Sequence, residues 1–190
     1  MQWNDHSKIK GTHAFLGCSN FSWFGDDNEK LRKRYLNFLA KERGTALHAL
    51  AADMIKLRKT CPETTMSFDQ YVNDAIAYGM DPEVPLYYSE NAFGTADAII
   101  YEEKTKTLRI HDLKTGKSPV HMEQLYGYAA LFCLEYHMKP TTIKIETRLY
   151  YNDEPPIIAH PEPDLIYTLM EKFITGDKII KEVKGELRIK

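Results

Sequence analysis

Between Leu31 and Leu57 apolar residues recur every three to four positions: Leu31, Tyr35, Phe38 and Leu39, then Ala46, Leu47, Leu50, Ala51, Met54 and Leu57. That spacing predicts a helical stripe starting near Asp27, interrupted at Gly44 and closed by Pro62. Ser67 and Gln70 stand at capping-box spacing and predict a second helix over 67–78, stopped by Gly79. The period then changes. Residues 84–90, 94–101 and 107–114 are short β-rich runs, and the polar stretch 102–106 suits a hairpin. Helical spacing returns over 119–137, with Pro119 at the start and Met122, Leu125, Tyr128, Ala129 and Phe132 along one face. Alternating Ile143, Ile145 and Thr147 predict a strand over 141–151, residues 152–156 a turn, and 162–174 a last helix ended by Gly176. Residues 1–25 have no clean period and predict an irregular, aromatic-rich lead-in.

This order of elements predicts an α/β (α+β) fold, a central mixed sheet flanked by helices with a helical N-terminal part. The fourth strand follows a crossover helix and is expected to run parallel to one of the first three. A chain of 190 residues with 43% hydrophobic and 12% aromatic content has the material for one packed domain spanning 1–190. No apolar run approaches a membrane span, and the first ten residues lack the apolar core of a signal peptide. Three cysteines, Cys18, Cys61 and Cys133, with no two of them two residues apart, fit reduced thiols in a cytoplasmic protein. They are too few for a zinc ribbon or an iron–sulfur cluster.

Charge sharpens the picture. The formal net charge is only −2, but residues 29–59 hold nine basic against three acidic residues, and residues 60–103 hold nine acidic and no Lys or Arg. Residues 104–117 return to +4. Such segregation suits a basic face beside an acidic pocket, the field a metal enzyme acting on a polyanion needs; solvated helix faces are the plainer alternative.

The residues that carry chemistry lie in two neighbouring strand runs, Gly94-Thr95-Ala96-Asp97 and Asp112-Leu113-Lys114-Thr115-Gly116. Period two puts Asp112 and Lys114 on one strand face and Leu113 on the other. A hairpin would bring Asp97 beside Asp112. Two close carboxylates repel unless a cation bridges them, and hard oxygen ligands select Mg²⁺ or Mn²⁺. Lys114 beside them suits the holding of a water nucleophile. Taken singly, each residue is as readily a turn, cap or surface-pair residue.

These blocks resemble the PD-(D/E)XK nuclease superfamily, and within it the RecB-like and CRISPR-adaptation exonuclease branch. Arg43-Gly44-Thr45-Ala46-Leu47-His48 is similar to its Gly-x-x-x-His helix block, Gly94–Asp97 to its Gly-x-x-Asp strand block, Asp112–Gly116 to its Asp-x-Lys-Thr-Gly signature, and Gln124-Leu125-Tyr126-Gly127-Tyr128 to its Gln-x-x-x-Tyr helix block. The matches run in order over residues 43–128. The four cysteines of an iron–sulfur cluster are missing, so the resemblance is closer to the small cluster-free nucleases of phages and mobile elements.

The resemblance implies a restriction-endonuclease-like core and a metal-dependent DNA exonuclease in recombination, repair or DNA processing. One or two Mg²⁺ or Mn²⁺ ions would be held by His48, Asp97, Asp112 and the Leu113 carbonyl. Lys114 would position the attacking water, and Gln124 and Tyr128 would touch the DNA backbone or steady Lys114. Arg32, Lys33, Arg34, Arg43, Thr115 and Lys117 are the expected nucleic-acid contacts. Glu42 and Glu90 are weaker acidic candidates, read as surface and loop residues; His111 and His121 adjoin the signature loop. A structure-selective or nicking endonuclease on the same core, and a non-cutting DNA-binding or assembly subunit, remain the alternatives. DNA is the expected partner and no membrane is; a homo-oligomer or a phage recombination protein stays open.

Overall fold

A computed structural model describes residues 5, 7–9, 11, 13–116 and 121–188. Among the described residues four α-helices, α1 (Asn28–Lys56), α2 (Ser67–Ala77), α3 (Glu123–Glu135) and α4 (Pro163–Arg188), accompany five strands, β1 (Asp81–Ser89), β2 (Ala92–Glu102), β3 (Thr107–Lys114), β4 (Lys144–Tyr151) and β5 (Ile157–Ala159). The chain divides into two compact units, Met1–Arg43 and Gly44–Lys190.

In the second unit the strands form one sheet in the order β1-β2-β3-β4-β5. β1, β2 and β3 make an antiparallel meander, β4 joins β3 in parallel after the α3 crossover, and β5 closes the far edge antiparallel to β4. This is the expected mixed α+β sheet flanked by helices. Each sheet face buries its own core. Leu108, Ile110 and Leu149 pack with Leu125, Ala129 and Phe132 of α3 and with Ile166 of α4. On the opposite face Ala98, Leu113 and Tyr150 pack with Ala51 and Ile55 of α1 and with Tyr71, Val72 and Ala75 of α2. The alternation along β3, even residues toward α3 and odd ones toward α2, is the period-two pattern of a strand buried on both sides.

Three expectations shift. Gly44 does not interrupt α1, which runs through it. Ser67 does not cap α2: Met66 holds the cap position, and the Ser67 hydroxyl accepts from the Asp153 amide at 2.8 Å while Asp153 Oδ1 accepts from the Ser67 amide at 2.8 Å. Gly176 lies inside α4 instead of ending it. The Asp177 carboxylate accepts from Ser89 at 2.6 Å and from Asn91 at 2.9 Å and pairs with Lys181 at 2.7 Å, which ties the helix to the β1–β2 turn beyond the glycine. β5 is an element the residue pattern did not predict. Pro119, expected to start α3, lies outside the described residues.

In the first unit two short 3-10 segments, Ser7–Ile9 and Cys18–Gly25, precede the α1 residues. Arg34 pins the second of them, donating to Asp26 Oδ2 at 2.6 Å and to Ser22 Oγ at 3.2 Å. Among the described residues no helix is long and apolar enough to cross a membrane.

Candidate metal centre

The site forms where a β-ladder stops. β2 and β3 pair antiparallel from Glu102↔Thr107 to Ala98↔His111, and one further step along each strand reaches Asp97 and Asp112. With no ladder bond left at this point, the Leu113 amide donates to Asp97 Oδ2 at 3.1 Å. Asp112 is 1% exposed. The Lys114 ammonium sits 3.1 Å from its Oδ1 and 2.9 Å from its Oδ2, and only Oδ1 is met at a hydrogen-bonding angle, so Oδ2 keeps no hydrogen bond. Burial raises the Asp112 carboxyl above its ordinary pKa, the Asp97 charge adds to this, and Lys114 opposes both.

On the other side of Asp97 a second irregularity supplies a residue that the sequence reading missed. β1 pairs Pro82 with Ala98 and Val84 with Ala96, which sets Glu83 across from Asp97. Glu83 has φ +54°, in the left-handed region that non-glycine residues seldom adopt. Opposite it the alternation of β2 changes phase: Ala96 and Ile99 both pack toward α3, whereas Ala98 packs toward α2. His48, on α1, brings Nδ1 to 3.2 Å from Asp97 Oδ2. His48, Glu83 and Asp97 each offer a ligand atom within 4.8 Å of the others. The Asp97 hydrogen bond raises the His48 pKa against the opposing effect of burial, and burial followed by the Asp97 charge raises Glu83. Asp112 is not part of that three-residue set; Lys114 draws its oxygens the other way.

A chain of side-chain hydrogen bonds leads from Lys114 to α3. Its ammonium donates to Gln124 Oε1 at 2.8 Å, and Gln124 Nε2 donates to the Tyr128 hydroxyl at 2.9 Å. Two glycines of the sequence blocks owe their place to this assembly. A Cβ on Gly94 would stand 3.0 Å from Tyr128 Cε1, and one on Gly44 would stand 2.7 Å from the Thr115 hydroxyl. The Thr115 hydroxyl can rotate away, whereas the Tyr128 ring is held by Gln124 and flanked by Leu131. Gly94→Ala is therefore expected to cost about 1–3 kcal/mol, the range for overpacking, while Gly44→Ala, which gains about 1 kcal/mol of helix propensity, stays near neutral. Thermal melts of the two variants check this; a Gly94→Ala melt equal to wild type would show that the ring moves freely.

No family model, curated protein or solved structure matches this chain. The site is defined by its own geometry.

Leu113 supplies the amide that holds Asp97, and its side chain is buried in the core toward α2. Thr115 is exposed just past β3. Arg32, Lys33, Arg34 and Arg43 belong to the first unit; all but Arg34 are exposed, and Arg34 is committed to Asp26. Lys117 lies outside the described residues. Glu90 sits exposed in the β1–β2 turn and Glu42 is exposed on α1, as surface and loop residues are. His121 lies 3.8 Å from Glu123, both exposed. His111 faces away from the carboxylates: it is fully buried, its Nδ1 is 3.3 Å from the Tyr150 hydroxyl, and burial followed by the Arg148 and Arg109 charges lowers its pKa to about 3. It is neutral at physiological pH and braces the strand that carries Asp112. The Tyr150 hydroxyl in turn donates to Asp74 at 2.6 Å, and Arg148 bridges Asp74, Tyr78 and Glu146.

Proposed function

We propose that this chain is a divalent-metal-dependent nuclease of the PD-(D/E)XK type that hydrolyses phosphodiester bonds in DNA, working from an end. One observation carries the reading: Asp97 and Asp112 come together one step past the last β2–β3 pair, with Lys114 on Asp112 and with His48 and Glu83 on Asp97.

The donor set fits a hard divalent cation. Two carboxylates and one imidazole, those of Glu83, Asp97 and His48, converge, and the buried Asp112 across from Asp97 keeps one oxygen that is paired with Lys114 but makes no hydrogen bond. His48, Glu83, Asp97 and Asp112, with the Leu113 carbonyl, would hold one or two Mg²⁺ or Mn²⁺ ions. Such an ion supplies a Lewis acid for the phosphoryl oxygens and lowers the pKa of a water molecule. Lys114 orients the attacking water, and its ammonium offsets the charge that builds on the phosphate. Gln124 and Tyr128 hold Lys114 in one rotamer, because a lysine alone loses about 2 kcal/mol of side-chain entropy when fixed.

End-labelled DNA incubated with Mn²⁺, Mg²⁺ or EDTA tests the activity. Metal-dependent ladders are expected. Discrete internal products would make the chain an endonuclease, and no products a binding subunit. Metal alone should stabilise the fold: at a hundred times Kd it adds about 2.7 kcal/mol, roughly 5–10 °C in Tm for a chain of this size. His48→Ala should shrink the Mn²⁺ shift more than the Mg²⁺ shift, since imidazole suits Mn²⁺ better. The raised His48 pKa gives the pH direction: only neutral imidazole ligates, so the wild-type Mn²⁺ shift should weaken as pH falls through that pKa. Equal shifts for both ions in wild type and variant would remove His48 from the site.

A further inference from the structure

The two units carry opposite charge. Residues 1–43 hold eight basic and five acidic residues, a net +3, so the remainder of the chain, which bears the carboxylate site, is −5. None of the described residues of the first unit is buried outright, and four of its aromatic rings are exposed, Phe21 at 68%, Phe24 at 63%, Tyr35 at 45% and Phe38 at 38%, while Phe15 and Trp23 are half-buried. The rings are arranged against one another. Trp23 and Phe24 meet edge to face at 4.6 Å, Phe15 meets Tyr35 at 4.9 Å and Phe38 at 5.2 Å, and Tyr35 and Phe38 stack at 6.0 Å.

Charge borders the rings. At 100° per residue, Leu31, Tyr35, Phe38 and Leu39 form one stripe of α1, with Arg32 and Arg43 along one edge and Lys30 and Lys41 along the other. Arg34 fastens the Cys18–Gly25 segment, which carries Phe21 and Phe24, to the same helix through Ser22 and Asp26. Exposed rings edged with cations match a strand whose bases are unpaired: each base offers a π-face and each nucleotide a phosphate. A duplex hides the faces of its bases in the stack, and an apolar protein partner would leave Arg32 and Arg43 without counter-charges.

We propose that the N-terminal unit, through the described residues 13–43, is a stacking platform for single-stranded nucleic acid. That the strand is DNA rests on the nuclease reading; the platform itself does not. Phe21, Phe24 and Tyr35 take bases, and Arg32 and Arg43 take phosphates. Arg34 is a positioning residue that holds the rings in place.

The test uses the full chain in EDTA, with fluorescein-labelled dT20 and a 20-bp duplex as probes. Binding of dT20 should be at least about tenfold tighter than binding of the duplex. Phe21→Leu/Phe24→Leu keeps apolar bulk and removes the π-faces; both side chains are more than 60% exposed, so the fold is unaffected. It should weaken dT20 roughly a hundredfold, about tenfold per stacked base, without changing the salt slope. Arg32→Gln/Arg43→Gln should flatten that slope by about 1.4 units, 0.7 for each phosphate contact on a single strand. Equal affinity for both probes, a Leu variant that binds dT20 like wild type, or a wild type that ignores dT20 and self-associates through these rings would each overturn the proposal. Loss of dT20 binding beside intact Mn²⁺-dependent cleavage defeats the platform alone, and dT20 binding without any cleavage defeats the nuclease reading alone.

Discussion

Asp112→Asn is expected to abolish cleavage, by roughly a hundred- to a thousandfold or more, while the metal-free protein melts no lower than wild type. The first half follows from the proposed role: the substitution keeps the volume of the side chain and removes one of the charges that would hold the ion. The second half follows from burial. Asp112 is enclosed beside Asp97, and its carboxyl is raised above its ordinary pKa despite Lys114. A carboxyl raised on folding contributes stability that is present in acid, below its unfolded pKa, and lost as pH rises through its folded pKa. Above its unfolded pKa the Asp112 carboxyl is thus a net cost to the metal-free fold, and an amide relieves it. Activity and stability should move in opposite directions, as at sites kept for function. Melts in EDTA and turnover with Mn²⁺ check the pair of claims. Turnover near the wild-type rate would end the assignment, and a metal-free melt many degrees lower would make Asp112 a structural residue.

Lys114→Ala should lower turnover by roughly a hundredfold or more and leave the metal-induced melting shift in place, since an ammonium orients water but ligates no cation. It should also destabilise the metal-free protein, by about 1–3 kcal/mol, because Asp112 then keeps a buried charge with no partner. Adding Asp112→Asn to Lys114→Ala should restore that stability, a coupling that a double-mutant cycle reads directly. Lys114→Arg should not rescue turnover: the guanidinium is a planar fork, while the site holds a compact ammonium between Asp112 Oδ1 and Gln124 Oε1. Collapse of metal affinity in Lys114→Ala would assign the lysine to site structure.

The strands and helices that the residue pattern predicts are those whose period comes from burial. β3 matches its predicted bounds to the residue because both of its faces are packed, and α3 carries its predicted apolar face onto the sheet. The differences arise where a residue answers to something far away in the chain. Gly44 reads as a break, yet its missing Cβ serves an approach to Thr115, seventy-one positions on. Ser67 reads as a cap, but its hydroxyl is taken by Asp153. β5 has only three residues and draws its partners from β4. The site divides in the same way. Asp97, Asp112 and Lys114 are legible from strand spacing alone, and the block that contains His48 from its resemblance. Glu83 is not, because only the register of β1 against β2 and a positive φ bring it to Asp97.

The hairpin joining β2 to β3 tolerates change unevenly. Residues 103–106 lie outside the ladder, so extra residues inserted there lengthen a surface loop at little cost and leave the carboxylates facing each other. One residue deleted between Thr107 and Asp112 would be a different event. If the strand kept its pairing at the hairpin end, Leu113 would stand where Asp112 stood, and the acid would move into the core on the opposite face. The five ladder pairs therefore act as a ruler, and a lineage of such chains can vary the length of its hairpin freely while the distance in residues from the first pair to the last stays constant.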